Sequence, residues 1–127
     1  MSKSQHVRIL VVDDSSIWRT FLIGHLFEAG LSSVYVAYDG VQAVVKAQSL
    51  QPDVVLMDVT LPRMNGIQAA TLIRDVAPGA KVVFVSGNSD PEVKRAAMAT
   101  GACDYVLKSL AGGQLIDAIK LALQFLP

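Results

Sequence analysis

The chain has 127 residues, of which 52% are hydrophobic, and its eleven basic and eleven acidic side chains cancel. That length and hydrophobicity suit one ordered domain with a core of its own and leave no room for a second of any size. The balanced charge removes the electrostatic footprint expected of a nucleic-acid binder. No apolar run approaches the roughly 20 residues of a membrane span, and the opening MSKSQHVRIL lacks the apolar stretch of a signal peptide, so a soluble protein is expected. The single Cys103 has no internal partner, which points to a reducing cytoplasm, and it reads as a small packing residue.

Residues 7–12 form an apolar run broken only by Arg8, which reads as a buried first strand ending at Asp13 and Asp14. Ser15 or Ser16 caps a helix to about Ala29, with Gly30 as its stop. A short second strand, 34–37, precedes the Asp39-Gly40 turn and a helix over about 41–49, closed by Pro52. The third strand, 54–58, delivers Asp58 to its carboxyl end. A loop then leads to a helix over about 65–76, stopped by Pro78 and Gly79. Strand four spans 81–86. Ser89 or Asp90 caps the next helix, which has Pro91 at its first position and ends before Gly101. Strand five, 104–107, ends at Lys108, and the last helix spans about 112–124.

Five strands alternating with five helices, at about 20 to 25 residues per unit, require parallel pairing with right-handed crossovers. The economical solution is a doubly wound α/β sheet of order 2-1-3-4-5, whose one topological switch point lies between strands one and three. Asp13, Asp14 and Asp58 then share one crevice. Three converging carboxylates repel each other and raise their pKa values unless a cation is present, which implies a divalent metal. Hard oxygen donors at an open rim favour Mg²⁺. His6, His25 and Cys103 are scattered, so no zinc site is expected. Strands four and five bring Ser86 and Lys108 to the same rim, where an ammonium and a hydroxyl would hold an anionic phosphoryl group. Asp58, nearest the centre, is the candidate nucleophile for an aspartyl phosphate.

Singly, each residue has a plainer reading. Asp58 and the Asp-Asp pair are turn and capping chemistry, Lys108 is a surface lysine with a buried stem, and Ser86 satisfies nearby backbone. Their joint placement, with DD, D, S and K at the ends of strands one, three, four and five, favours a site.

Four motifs, VVDD at 11–14, MDVTLPRMNG at 57–66, VSG at 85–87 and YVLK at 105–108, carry the resemblance. The chain resembles a response-regulator receiver domain of the CheY-like family end to end, which implies a flavodoxin-like (βα)5 fold and a single receiver domain over 1–127. The resemblance makes Asp58 the phosphoacceptor in a two-component system. Asp14, Asp58 and the Thr60 carbonyl would be Mg²⁺ ligands, with Asp13 acting on the metal through water. It further implies that Ser86 binds and reports the phosphoryl group, that Lys108 pairs with it, and that Tyr105 changes rotamer on activation. Thr60 and Asn88 would flank the path of attacking water and tune dephosphorylation. A histidine kinase or phosphotransfer protein is the implied donor, and the only catalysis implied is the domain's own phosphorylation and dephosphorylation.

One position departs from the family pattern, in which proline usually follows the strand-five lysine. Here Ser109 follows Lys108, so the bond is expected trans, with a more mobile loop and a less fixed Lys108. The Lys-Ser pair, NGIQAA and SDPEV are similar to receivers of the NarL/LuxR branch, which normally precede a DNA-binding domain.

Three other readings fit less well. A nucleotide or flavin enzyme lacks its glycine-rich loop. A haloacid-dehalogenase-like phosphatase wants a second Asp two residues after the first, where Thr60 stands. A scaffold that no longer phosphorylates conflicts with the intact acidic set.

Finally, Trp18, Leu22, His25, Leu26 and Ala29 form one helical stripe expected to face the sheet, while Ile23 and Phe27 project away. In the last helix Leu115, Ala118, Ile119 and Ala122 face inward, Leu121 points away, and Ile116 and Leu123 flank. Right-handed crossovers place helices one and five side by side, so the excess apolar residues suggest a homodimer surface or a dock for an output domain.

Overall fold

The structure, a computed structural model, describes residues 6–124. The opening residues read above for a signal peptide therefore lie partly outside the described chain. In order, the elements are β1 (Arg8–Val12), α1 (Ser16–Glu28), β2 (Ser33–Ala37), α2 (Gly40–Leu50), β3 (Val54–Met57), α3 (Gly66–Val76), β4 (Lys81–Ser86), α4 (Pro91–Met98), β5 (Asp104–Leu107) and α5 (Ala111–Leu123). A short 3-10 turn, Lys108–Leu110, joins β5 to α5. The strands form one parallel sheet in the expected order 2-1-3-4-5.

Local chemistry sets the helix starts. Ser15 caps α1, its hydroxyl accepting from the Trp18 N–H, and Asp39 caps α2 by accepting from Gln42. Asn65 and Gln68 cap each other's backbone reciprocally at α3, and Asp90 followed by Pro91 opens α4. Each cap satisfies a helix N–H that would otherwise lack a partner.

Because side chains alternate across a strand, each central strand feeds two cores. Leu10, Val12, Met57 and Phe84 pack beneath α2, α3 and α4. Ile9, Val11, Leu56 and Val85 pack beneath α1 and α5, meeting Leu22, Leu26, Leu115 and Ile119. Each fully buried Leu or Ile stabilises the fold by roughly 1.5–3 kcal/mol relative to exposure, so the sheet is a stiff platform whose carboxyl edge is fixed by packing on both faces.

The outer helices need two corrections. In α1 only Leu22 and Leu26 are fully buried; Trp18 and His25 are half-buried, and Ala29 is exposed as the cap residue beyond the last turn. Ile23, expected to point away, packs against the inner cluster, because an apolar arc wider than about 100° takes in a residue one position from Leu22. Phe27 does project outward, 54% exposed. In α5 the four inward residues are buried, Leu121 is exposed, and Ile116 and Leu123 flank the core as expected. Among the described residues no helix is long and apolar enough to cross a membrane.

Candidate active site at the carboxyl edge of the sheet

β1 and β3 are neighbours, and each ends in acid. The Asp58 N–H donates to the Val12 carbonyl at 3.0 Å, which draws the end of β3 against the end of β1. Asp13 is 1% and Asp58 6% exposed, whereas Asp14 is open to solvent. One carboxylate oxygen from each of Asp13, Asp14 and Asp58 falls within a group spanning 4.8 Å. Turn chemistry explains only part of this. Asp13 Oδ1 accepts from the Ser15 N–H at 2.9 Å, but Oδ2 is buried with no hydrogen-bond partner of good geometry. Among the described residues its ion-pair partner is Lys108, whose Nζ lies 2.9 Å away.

Lys108 is shared. Its Nζ also donates to Asp58 Oδ2 at 3.1 Å, and its side chain is 14% exposed. Burial pushes the Asp58 carboxyl above the usual carboxylate range; Lys108 opposes this through charge and hydrogen bond, Asp13 adds a smaller push upward, and a backbone hydrogen bond from Thr60 lowers it. Repulsion between carboxylates, the expected cause, is thus secondary to desolvation. Burial pulls the Lys108 ammonium downward, but its contacts with Asp13 and Asp58 outweigh that and leave its pKa raised.

The described chain has no cis peptide bond, so Lys108–Ser109 is trans as expected. The Lys108 ammonium nevertheless has close partners in this structure. Two carboxylates hold its ammonium, and the Trp18 ring lies 5.0 Å from it.

Ser86 closes β4 beside this group, 1% exposed, and its Oγ accepts from the Asn88 N–H at 3.1 Å. Tyr105 lies inward on β5, its hydroxyl donating to the Asn88 carbonyl at 2.7 Å. The Asn88 side chain in turn accepts from the Asp90 N–H at the start of α4. Thr60 is exposed on the loop after Asp58. The candidate site residues Asp13, Asp14, Asp58, Thr60, Ser86, Asn88, Tyr105 and Lys108 therefore lie at this one edge or in the loops leaving it.

Three supporting features escaped the sequence. Arg19 donates to the Asp13 carbonyl at 2.8 Å and stacks over Tyr38 at 4.3 Å, fixing the backbone that carries the acidic pair. A Cβ on Gly66 would lie 1.9 Å from the Asp58 carbonyl oxygen, so the chain returns against the acid only because this residue is glycine. Trp18 covers the ammonium. The glycine was visible as a turn residue, but its near neighbour was not; the arginine and tryptophan lie one turn into α1, where spacing alone shows no target.

The donor set suits a hard divalent cation. Oxygen atoms alone are offered, one side is open through Asp14, and Asp13 Oδ2 is a buried acceptor without a well-directed donor. A small cation ligated mainly by oxygen fits such a group.

Comparison with known proteins agrees with this geometry. The family model described as response regulator receiver domain matches residues 9–120. The chemotaxis protein CheY of Thermotoga maritima is 34% identical over 112 residues, covering 88% of this chain and 93% of that one. The transcriptional regulatory protein LnrK of Bacillus subtilis is 32% identical, with 89% of this chain matching 52% of LnrK. Among solved structures, the receiver domain of the response regulator NarL from Mycobacterium tuberculosis superposes with a TM-score of 0.85 at 28% identity, over 94% of this chain and 97% of that one. A doubly wound sheet with its acids, serine and lysine at one edge, matched along nearly its whole length, places this chain in the CheY-like response-regulator receiver family.

Proposed function

We propose that Asp58 is the phosphoacceptor and that the chain acts as one receiver unit over 1–127. The observation carrying this reading is Lys108 Nζ seated between Asp13 and Asp58, a cation already facing the oxygen that would bear the phosphoryl group. An Asp58 oxygen attacks the phosphorus of a phosphohistidine on a kinase or phosphotransfer protein; the P–N bond breaks and the imidazole nitrogen takes a proton. Asp13, Asp14, Asp58 and the Thr60 carbonyl would hold Mg²⁺, which neutralises charge on the incoming phosphoryl group. Ser86 donates its hydroxyl to a phosphoryl oxygen, Lys108 pairs with another, and Tyr105 changes rotamer as the loop at Asn88 rearranges. Thr60 and Asn88 tune the lifetime of the acyl phosphate, neither supplying a carboxylate to orient water. No separate substrate is turned over. Output passes to a partner or attached domain, transcriptional in the NarL-like case, with no nucleic-acid contact by this chain. A cytoplasmic setting fits such a relay.

Intact mass after incubation with acetyl phosphate tests the reading: wild type gains a phosphoryl group with Mg²⁺ and not with EDTA, and Asp58→Asn gains none. Equal uptake by Asp58→Asn would refute it.

The outer faces of α1 and α5 supply the partner surface. Ile17, Phe21 and Phe27 are exposed on α1 and Leu121 on α5, and a homodimer or a docked output domain would cover such apolar residues. A homodimer through this surface would raise the sedimentation mass of wild type, and Phe27→Glu would return it to monomer. A wild type monomeric with and without phosphoryl group removes the dimer.

A further inference from the structure

Trp18 stands one turn into α1 and is the only tryptophan of the chain. Its ring centroid lies 5.0 Å from Lys108 Nζ, inside the roughly 6 Å over which an ammonium is drawn to an aromatic face. Asp13 and Asp58 contact the same ammonium at 2.9 and 3.1 Å, so the indole adds a third, uncharged contact to the two carboxylates. The ring does not stand alone. The Phe21 ring meets it edge-on at 5.2 Å and contacts His25 at 4.6 Å, forming an aromatic row along α1. That row also reaches α5, since a Cβ on Gly112 would meet Phe21 Cζ at 3.8 Å.

A lysine has about 1.5–2 kcal/mol of rotamer entropy to lose when fixed. Asp13 and Asp58 hold the ammonium here, and a phosphoryl group or metal would compete for those same carboxylates. We propose that Trp18 is a positioning residue for Lys108, its indole face holding the ammonium at the phosphoryl site when Asp13 and Asp58 are engaged by metal and phosphate. This rests on the function proposed above and adds to it a residue that acts on the lysine rather than on the phosphoryl group.

The test is a double-mutant cycle read by binding of beryllofluoride, a mimic of an acyl phosphate, followed by ¹⁹F NMR in the presence of Mg²⁺. Trp18→Leu weakens binding about fivefold, the scale of one partly desolvated cation–π contact, and Trp18→Phe, which keeps an aromatic face, recovers most of it. In a Lys108→Ala background Trp18→Leu has no further effect, because the lysine through which it acts is gone. Equal losses from Trp18→Leu in both backgrounds, or a Trp18→Phe protein as weak as Trp18→Leu, would overturn the proposal and leave Trp18 as packing. If wild type bound no beryllofluoride and took no phosphoryl group from acetyl phosphate, the receiver assignment itself would fail and this proposal with it.

Discussion

The Tyr105 hydroxyl donates a 2.7 Å hydrogen bond to the Asn88 carbonyl, tying β5 to the loop that follows β4. The Asn88 N–H is engaged as well, donating to Ser86 Oγ at 3.1 Å. One peptide segment is therefore held by the residue proposed to bind the phosphoryl group and by the residue proposed to change rotamer. On the proposed function, drawing the Ser86 hydroxyl toward a phosphoryl oxygen would loosen the first contact and weaken the geometry of the second. Tyr105→Phe is expected to cost about 1 kcal/mol of stability, the net value of one hydrogen bond. Urea unfolding should show that loss in the free protein and a smaller one with Mg²⁺ and beryllofluoride; an equal loss in both states would separate Tyr105 from the switch.

Much of this arrangement was legible in the sequence because it rests on local signals. Asp39, Asn65, and Asp90 before Pro91 cap helices where capping residues stand, and the apolar runs ending in DD, D, S and K are the strand ends that form the site. Contacts between distant segments were not legible. Nothing in a linear reading brings Trp18 over Lys108, or Arg19 to the Asp13 carbonyl. Ile23 was misplaced because helical period alone does not say how wide an arc the sheet covers. The strand ends bring Lys108 to the acidic rim, but which carboxylate oxygens its ammonium meets depends on side-chain packing that no linear pattern shows.

Gly66 is the clearest steric requirement at the site. A Cβ there would come within 1.9 Å of the Asp58 carbonyl oxygen and 3.0 Å of Met57 Cγ. Gly66→Ala should destabilise by at least about 2 kcal/mol through backbone displacement. Gly113→Ala, in α5 with open space around it, should stabilise by about 0.5–1 kcal/mol. Thermal unfolding of the two variants should move in opposite directions.

Removing Lys108 leaves two buried carboxylates without their cation. Lys108→Ala should lose about 3 kcal/mol in EDTA, the low end for breaking a buried pair, and recover a large part of it with saturating Mg²⁺, because a ligand that binds only the folded state stabilises it. Unfolding curves of wild type and variant across a Mg²⁺ titration measure this. Parallel responses would mean that the metal does not replace the ammonium's charge.

Cys103 packs against the inner core, and burial pushes its thiol pKa up, with Lys81 opposing and Asp104 adding to the rise. A raised pKa means less thiolate at any given pH, and the thiolate is the reactive form. Alkylation by iodoacetamide at pH 8 should therefore be slower than that of a free cysteine and should accelerate when urea unfolds the chain. A native-state rate matching that of free cysteine would show the thiol to be open.

The most direct measurement locates the phosphoryl group. Protein treated with acetyl phosphate and Mg²⁺ is reduced with borohydride, which converts an aspartyl phosphate to homoserine, and the modified position is read by peptide sequencing in the mass spectrometer. The expected result is homoserine at position 58 alone, abolished by EDTA. Homoserine at 13 or 14, or modification at 58 that persists without divalent metal, would contradict the assignment of Asp58 as a metal-assisted phosphoacceptor.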